Sequence, residues 1–158
     1  MKTILAIDPG KIGGLAWLNP LSTACISSTP ETEADYVDLL ADIKHGSELP
    51  VIAYVEKVSG FAGKAQPGSA MFKFGFGCGV IEGALRALHI PTIYVTPQKW
   101  QKHFSLGTAS GCATKTIWKQ KLRAEAQRRY PNLKVTLAVA DALLILSYAN
   151  ETHVRAAA

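Results

Sequence analysis

Three acidic residues stand where their carboxylates could act together on one substrate. Asp8 ends a short apolar run, Ile4–Ile7, and Glu56 ends a second apolar run, Val51–Val55, which is rich in β-branched residues. Both runs are typical of buried strands, and the carboxyl ends of neighbouring parallel strands meet at the edge of a sheet where ligands bind. The third acid, Asp141, lies in a predicted helix. Taken singly, Asp8 could be a turn residue and Asp141 a helix cap.

The predicted helix Leu137–Tyr148 has an apolar face that includes Asp141. On a period of 3.6 residues, the same face contains Leu137, Leu144, Ile145 and Tyr148. A carboxylate on a packed face costs free energy unless a positive group pairs with it. Since the predicted helix contains no Lys or Arg, we expect a metal ion to pair with Asp141.

Three carboxylates without a histidine or cysteine cluster favour hard divalent cations. We therefore expect Mg²⁺, with Mn²⁺ able to substitute for it, bound by Asp8, Glu56 and Asp141. Two such ions can activate a water molecule and stabilise the leaving oxygen of a phosphodiester. This chemistry predicts a nuclease in which the same three acids are catalytic, with no small-molecule cofactor.

The distribution of charge indicates a polyanionic partner. Residues 30–56 contain seven acids and one lysine, whereas residues 57–134 contain thirteen Lys and Arg residues and two acids. Basic side chains that neutralise phosphates release bound counterions, which favours the binding of nucleic acid. A solvated basic helix face is the alternative explanation.

The elements that must position the acids follow an order that favours a mixed sheet. Strands are predicted at residues 4–7, 13–18, 23–27, 51–55 and 92–95, and helices at about 30–45, 70–88, 113–129 and 137–148. Thr29 is expected to cap the first helix, with Pro30 in its first turn. The order β-β-β-α-β-α-β-α-α predicts an α/β fold with helices on both faces of a mixed sheet. The second predicted helix contains Gly75, Gly79 and Gly83 at intervals of four, which favours close packing against another helix, either within the subunit or across a dimer.

Four groups of residues, in order along nearly the whole chain, carry a family resemblance. They are Ile7-Asp8-Pro9-Gly10 with Gly13-Gly14, Val55-Glu56 followed by Phe61, the basic pair Lys102 and Lys115 beside a glycine-containing loop, and Ala140-Asp141-Ala142-Leu143. Together they resemble the RuvC-type Holliday junction resolvases of the ribonuclease H-like superfamily. Residues 74–79 and 100–104 look closest to the phage and chloroplast branch of that family.

The resemblance implies a ribonuclease H-like fold and a homodimer that resolves four-way DNA junctions by paired nicks in opposed strands. It also implies that Lys102 and Lys115 lie near the scissile phosphate, with Lys115 a candidate catalytic residue. We expect the basic helix that follows, including Lys119 and Arg123, to bind DNA through salt-sensitive contacts.

The predicted loop from Val58 to Ser69 directly follows Glu56 and so lies beside the expected cleavage site. Phe61 is its one large apolar residue and could stack on a base exposed at the branch point, or could be an anchor in the core. Lys64, Gln66 and Ser69 could then contact phosphates or base edges.

Length and composition favour one globular domain. The 158 residues are 48% hydrophobic, and no apolar run reaches the ~18 residues of a membrane span. We assign residues 1–150 to the RuvC-like nuclease domain and expect residues 151–158 to form a flexible tail, whose last three alanines could be a cloning scar. We expect no membrane partner and a cytoplasmic protein, bacterial or phage-encoded, or an organellar one if a targeting segment has been removed.

One position departs from the family pattern. Bacterial members usually have a further acid three residues before the last Asp, and here that position is Ala138. A non-catalytic junction-binding variant therefore stays open, as does a related nuclease that acts on RNA or on RNA–DNA hybrids. An actin-like or sugar-kinase ATPase also carries an Asp-x-Gly phosphate turn, but it needs two such domains and a separate adenosine site, for which 158 residues are too few.

Overall fold

A mixed β-sheet forms the centre of the protein. The structure, a computed structural model, describes residues 2–19, 21–57 and 68–157, the side chains of residues 153–157 excepted. In these residues the strands are β1 (Thr3–Asp8), β2 (Gly14–Leu18), β3 (Ala24–Ser28), β4 (Val51–Glu56) and β5 (Thr92–Val95). Their order across the sheet is β3-β2-β1-β4-β5. β1, β4 and β5 run parallel, whereas β2 and β3 continue the sheet in antiparallel pairs.

Helices cover both faces of this sheet, as the order of elements predicts. They are α1 (Glu33–His45), α2 (Gly68–Ala87), α3 (Pro97–His103), α4 (Lys115–Arg129) and α5 (Leu137–Ala157), with a short 3₁₀ turn at Ala109–Gly111. Because side chains alternate along a strand, each central strand contributes side chains to two separate hydrophobic cores, one on each face of the sheet. Leu5 and Ile7 pack with α1 and α2 on one face, whereas Ile4 and Ala6 pack with α3, α4 and α5 on the other.

The helix α5 lies against β1 and β2 and also packs against α4. Its residues 139–149 are all buried, which is the pattern of a helix enclosed on every side. On the face predicted to pack inward, Leu144, Ile145 and Tyr148 are buried, but Leu137 at the start of the helix is 42% exposed. The backbone of α5 also approaches β2 closely, since a Cβ added to Gly14 would lie 3.0 Å from the carbonyl oxygen of Ala138.

Two predicted boundaries are wrong in an informative way. The cap of α1 is Thr32, whose hydroxyl accepts a hydrogen bond from the Asp35 amide at 3.1 Å. Thr29 instead donates its hydroxyl to the carbonyl of Gly10 at 2.8 Å, which ties the end of β3 to the β1–β2 turn. The last helix continues past the predicted end at Tyr148, so the domain boundary predicted at residue 150 lies within α5.

The length and hydropathy of a helix determine whether it could cross a membrane. No helix in the described residues combines the length and the apolar character that would be needed to cross a membrane.

Candidate active site

Asp8 and Glu56 occupy matching positions on neighbouring parallel strands. Ile7 pairs with Val55 in the β1–β4 register, and each acid is the next residue along its strand. Since Ile4 and Ala6 of β1 and Ile52 and Tyr54 of β4 face the core beneath α5, alternation directs Asp8 and Glu56 to that same face. The two carboxylates therefore share one edge and one face of the sheet.

Asp141 approaches the same place from α5. Its side chain is only 3% exposed, and Oδ1 is buried with no hydrogen-bond partner in the described part of the chain. The charge of Asp141 raises the pKa values of both Asp8 and Glu56, so the three carboxylates are close enough to repel one another. The predicted grouping of the acids at one edge is thus present, although their catalytic roles stay predictions.

Burial, and after it the negative charge of Asp141, raise the pKa of Asp8 to about 6. Two interactions oppose this shift, namely the charge of Lys119 and a hydrogen bond that the Gly10 amide donates to Oδ1 at 3.4 Å. The same hydrogen bond shows that Asp8 also has the turn role that its Pro-Gly neighbours suggest.

Burial likewise raises the pKa of Glu56 to about 7, with Asp8 as the next largest cause. Its Oε1 accepts a hydrogen bond from the indole Nε1 of Trp100 at 2.9 Å, which favours the ionised form and fixes the carboxylate in place. Trp100 lies on α3 and is fully buried, so it is a rigid donor.

The positive partner of Asp141 is Lys119 on α4, whose Nζ donates a hydrogen bond to Oδ2. Burial lowers the pKa of Lys119, but the charge and hydrogen bond of Asp141 together with the charges of Asp8 and Glu56 outweigh it, so the pKa of Lys119 is raised. The protein itself therefore supplies a positive partner for Asp141, although the predicted helix contains no Lys or Arg, and the metal ion stays a prediction. The partner comes from a neighbouring helix that crosses the same edge.

Ion pairs among α3, α4 and α5 hold the helices that carry Trp100, Lys119 and Asp141. Glu151 on α5 accepts hydrogen bonds from His103 of α3 at 2.7 Å and from Arg129 of α4 at 2.6 Å. Arg129 also bonds Glu125 within α4, and its guanidinium lies 4.4 Å from the ring centroid of Phe104. A single network thus fixes the relative positions of the three helices around the site.

The donor chemistry of the cluster fits a hard divalent cation, while its present arrangement lacks the full ligand set. The three acids supply only carboxylate oxygens, and Oδ1 of Asp141 lacks a partner. Within the described residues, however, no three Asp, Glu, His or Cys side chains lie close enough to hold a metal ion as they stand. A metal ion would have to draw the carboxylates together and replace the contact with Lys119.

The predicted DNA-binding residues that the structure describes lie on three different helices. Lys102 is exposed on α3, Lys115 is exposed at the start of α4, and Ser69 is exposed at the start of α2. Arg123 is also exposed, but its Nε is committed to the carbonyl of Val135 at 2.9 Å. Within the described part of the chain, Lys119 is the basic residue that forms an ion pair with the cluster. The predicted contacts of Phe61, Lys64 and Gln66 lie outside the described residues.

Sequence reasoning missed α3 and therefore missed Trp100 as a partner of Glu56. A signal was present, because Thr96 followed by Pro97 is a typical start of a helix. In the structure the Thr96 hydroxyl accepts a hydrogen bond from the Lys99 amide at 3.3 Å, and Pro97 is the first helical residue. No local pattern indicated the pairing of Lys119 with Asp141, since the two residues are 22 positions apart.

Comparison with solved structures identifies the fold. Neither a family model nor a curated protein sequence matches the chain. The structure of Thermus thermophilus RuvC in complex with a Holliday junction substrate superposes with a TM-score of 0.61, at 16% identity over 96% of each chain. A second structure of Thermus thermophilus RuvC gives a TM-score of 0.57, also at 16% identity over 96% of each chain.

The chain has the fold of RuvC. The predicted ribonuclease H-like α/β architecture is thereby confirmed. Within this RuvC fold, the acids of this chain lie at the carboxyl ends of β1 and β4 and on α5, where the strand ends and the last helix meet.

The raised pKa values give the metal-free protein a specific dependence on pH. Asp8 shifts from 3.8 to about 6 and Glu56 from 4.5 to about 7, so between pH 4 and pH 7 the folded state binds more protons than the unfolded chain. Stability is therefore highest at the acidic end of this window and falls as the pH rises through both folded-state values. Since one pKa unit corresponds to about 1.4 kcal/mol, we expect a loss of a few kcal/mol.

Urea unfolding in EDTA at several pH values measures this loss. The double variant Asp8→Asn/Glu56→Gln keeps the oxygens that accept from Gly10 and Trp100 but should remove most of the pH dependence. The matched control Asp38→Asn/Glu48→Gln removes two exposed acids and should keep the parental slope. Equal slopes in the parent and in Asp8→Asn/Glu56→Gln would contradict the electrostatic coupling described here.

Proposed function

We propose that this protein is a metal-dependent endonuclease that binds branched DNA and nicks opposed strands of four-way junctions as a homodimer. The observation that supports the activity most directly is the group of three mutually repelling carboxylates at the strand ends of a RuvC fold. A structural neighbour is described with a Holliday junction substrate, which makes the same substrate class the first one to test here.

In this proposal Asp8, Glu56 and Asp141 hold Mg²⁺, with Mn²⁺ as a substitute. When bound, the metal supplies a water of lowered pKa and stabilises charge on the leaving oxygen. The protein's own groups orient the acids, since Trp100 donates to Glu56 and Gly10 donates to Asp8. The enclosing helices exclude water from Asp141.

The basic side chains around this edge are proposed to bind the phosphates of the junction arms. Lys102 and Lys115 are exposed, and neither forms an ion pair within the described residues, so both are available for phosphates. Lys115 begins α4 and is proposed as the residue nearest the scissile phosphate. Ser69, with Phe61, Lys64 and Gln66, is proposed to contact the branch point.

The outer surface of α2 is proposed as the dimer contact. Phe72 is 74% exposed and Phe76 is 55% exposed, and their rings stack with centroids 6.5 Å apart. They share one helix face with Gly79 and Gly83, and a Cβ added at either glycine would meet nothing within 4 Å. The two glycines therefore have no packing partner among the described residues, and in this proposal a second copy of the chain covers them. A dimer axis would also match the approximate two-fold symmetry of a four-way junction.

A junction-binding protein without cleavage is the second candidate. The observations that favour it are the ion pair between Lys119 and Asp141 and the absence, within the described residues, of a three-ligand metal site. Ala138 in place of a further acid points the same way. The two candidates differ in one measurable property, namely metal-dependent strand cleavage.

We expect the parent protein with Mg²⁺ to nick a synthetic four-way junction and to leave linear duplex and RNA–DNA hybrid largely uncut. Asp141→Asn should lower the rate roughly a thousandfold, because losing a carboxylate at the metal removes several kcal/mol of transition-state stabilisation. The matched control Asp38→Asn, on the exposed surface of α1, should cleave at the parental rate. Junction binding in Ca²⁺ by both variants confirms that they remain folded.

Three results would decide against the nuclease proposal as stated. Junction binding without nicking in Mg²⁺ or Mn²⁺ would favour the non-catalytic protein. Faster cleavage of the hybrid would favour an RNA-directed enzyme. Parental cleavage by Asp141→Asn would remove that carboxylate from the catalytic group.

For the dimer, Gly79→Leu should shift the protein towards a monomer, because a bulky side chain at Gly79 would hold two α2 helices apart. Sedimentation equilibrium should give about twice 17.0 kDa for the parent and close to 17.0 kDa for the variant. Ala124→Leu adds a similar side chain to the exposed surface of α4, and this control should sediment with the same mass as the parent. A monomeric parent at micromolar concentration, or a dimeric Gly79→Leu, would contradict this interface.

A further inference from the structure

Lys119 places a partly solvent-exposed ammonium group beside Asp141, the buried acid of the carboxylate cluster. Its side chain is 46% exposed, whereas the side chain of its partner Asp141 is 4% exposed. The ammonium group bonds Oδ2 of Asp141, and its charge also acts on Asp8 and Glu56. The lysine therefore neutralises part of the site from the side that faces solvent.

This neutralisation is incomplete. Three carboxylates face one ammonium group, and within the described residues no other basic side chain forms an ion pair with them. Oδ1 of Asp141 remains buried and without a partner, which is costly for an ionised oxygen. The cluster thus retains net negative charge. Asp141, the residue that Lys119 contacts through Oδ2, still has Oδ1 available as a ligand atom.

We propose that Lys119 is a displaceable counter-ion, which pairs with Asp141 while the cluster lacks a divalent cation and leaves Asp141 when one binds. This inference rests on the metal site proposed above. A divalent cation and the ammonium group both need Asp141, and the half-exposed lysine has a flexible four-carbon stem on which it can withdraw into solvent. Lys119 is in this sense a positioning residue, which acts through Asp141.

Displacement would couple metal loading to DNA binding. In the metal-free pair the charge of Lys119 is used within the protein. Once released, its Nζ would lie at the rim of the carboxylate cluster, where the scissile phosphate is expected, and could contact that phosphate. The DNA contact predicted for Lys119 from the charge pattern and the observed contact with Asp141 would then belong to two successive states.

The decisive experiment measures Mn²⁺ binding to metal-free full-length protein by titration calorimetry, in the absence of DNA. Lys119→Met removes the charge but keeps the length of the side chain. We expect it to bind Mn²⁺ on the order of tenfold more tightly than the parent, since the competing cation is gone. Lys134→Met is the matched control, since Lys134 is exposed in the segment between α4 and α5 and has no proposed role in the site; it should change the affinity less than about twofold.

Thermal unfolding supplies a second readout. In EDTA, Lys119→Met should melt at a lower temperature than the parent, because Asp141 is left as an unpaired buried charge. Saturating Mn²⁺ should then raise its melting temperature more than it raises that of the parent. In an Asp141→Asn background, Lys119→Met should have little further effect on either measurement, since the proposed action passes through Asp141.

A variant that keeps the positive charge provides a second test in case Lys119→Met does not fold. Lys119→Arg can hold both oxygens of Asp141, so we expect weaker Mn²⁺ binding than in the parent. Equal or weaker Mn²⁺ binding by Lys119→Met, or tighter binding by Lys119→Arg, would overturn the displacement and leave the metal site standing. No Mn²⁺ binding by the parent or by either variant would overturn both the displacement and the proposed metal-dependent activity.

Discussion

The repulsion among Asp8, Glu56 and Asp141 is the interaction on which the rest of the site depends. Two parallel strands and a buried helix bring the three carboxylates to one place, and burial weakens the solvent screening that would otherwise make this inexpensive. Burial first, and repulsion from a neighbouring acid second, raise the pKa values of Asp8 and Glu56. Lys119 offsets part of this cost at Asp141, and protons or, in the proposed function, a divalent cation would offset the rest.

The surrounding elements are arranged to meet this constraint. Trp100 on α3 donates a hydrogen bond to Glu56, and Lys119 on α4 is the counter-ion of Asp141. The backbone amide of Gly10 donates a hydrogen bond to Asp8. The ion pairs of Glu151 with α3 and α4 hold these donors in register with α5. Donors from two helices, α3 and α4, and from one turn therefore offset the charge repulsion at the sheet edge.

Local patterns predicted much of the fold but only part of the site. The run of β-branched residues before Glu56 predicted a strand, and the 3.6-residue apolar period around Asp141 predicted a helix. Both patterns are local, because each reflects which side chains of one element are buried. The pairing of Lys119 with Asp141 depends on how α4 crosses α5, and the period of a single helix contains no information on such a crossing. The helix that begins at Pro97 was missed, although Thr96 and Pro97 together form a recognisable helix start.

The central claim is that the three acids form a divalent-cation site which Lys119 occupies in the absence of metal. A crystal of the protein soaked in Mn²⁺, with data collected at the manganese absorption edge, tests this directly. The account predicts an anomalous peak within about 2.0–2.3 Å of oxygens from Asp8, Glu56 and Asp141 and a Lys119 side chain withdrawn from Asp141. A peak elsewhere, or an intact contact between Lys119 and Asp141 at saturating Mn²⁺, would contradict it.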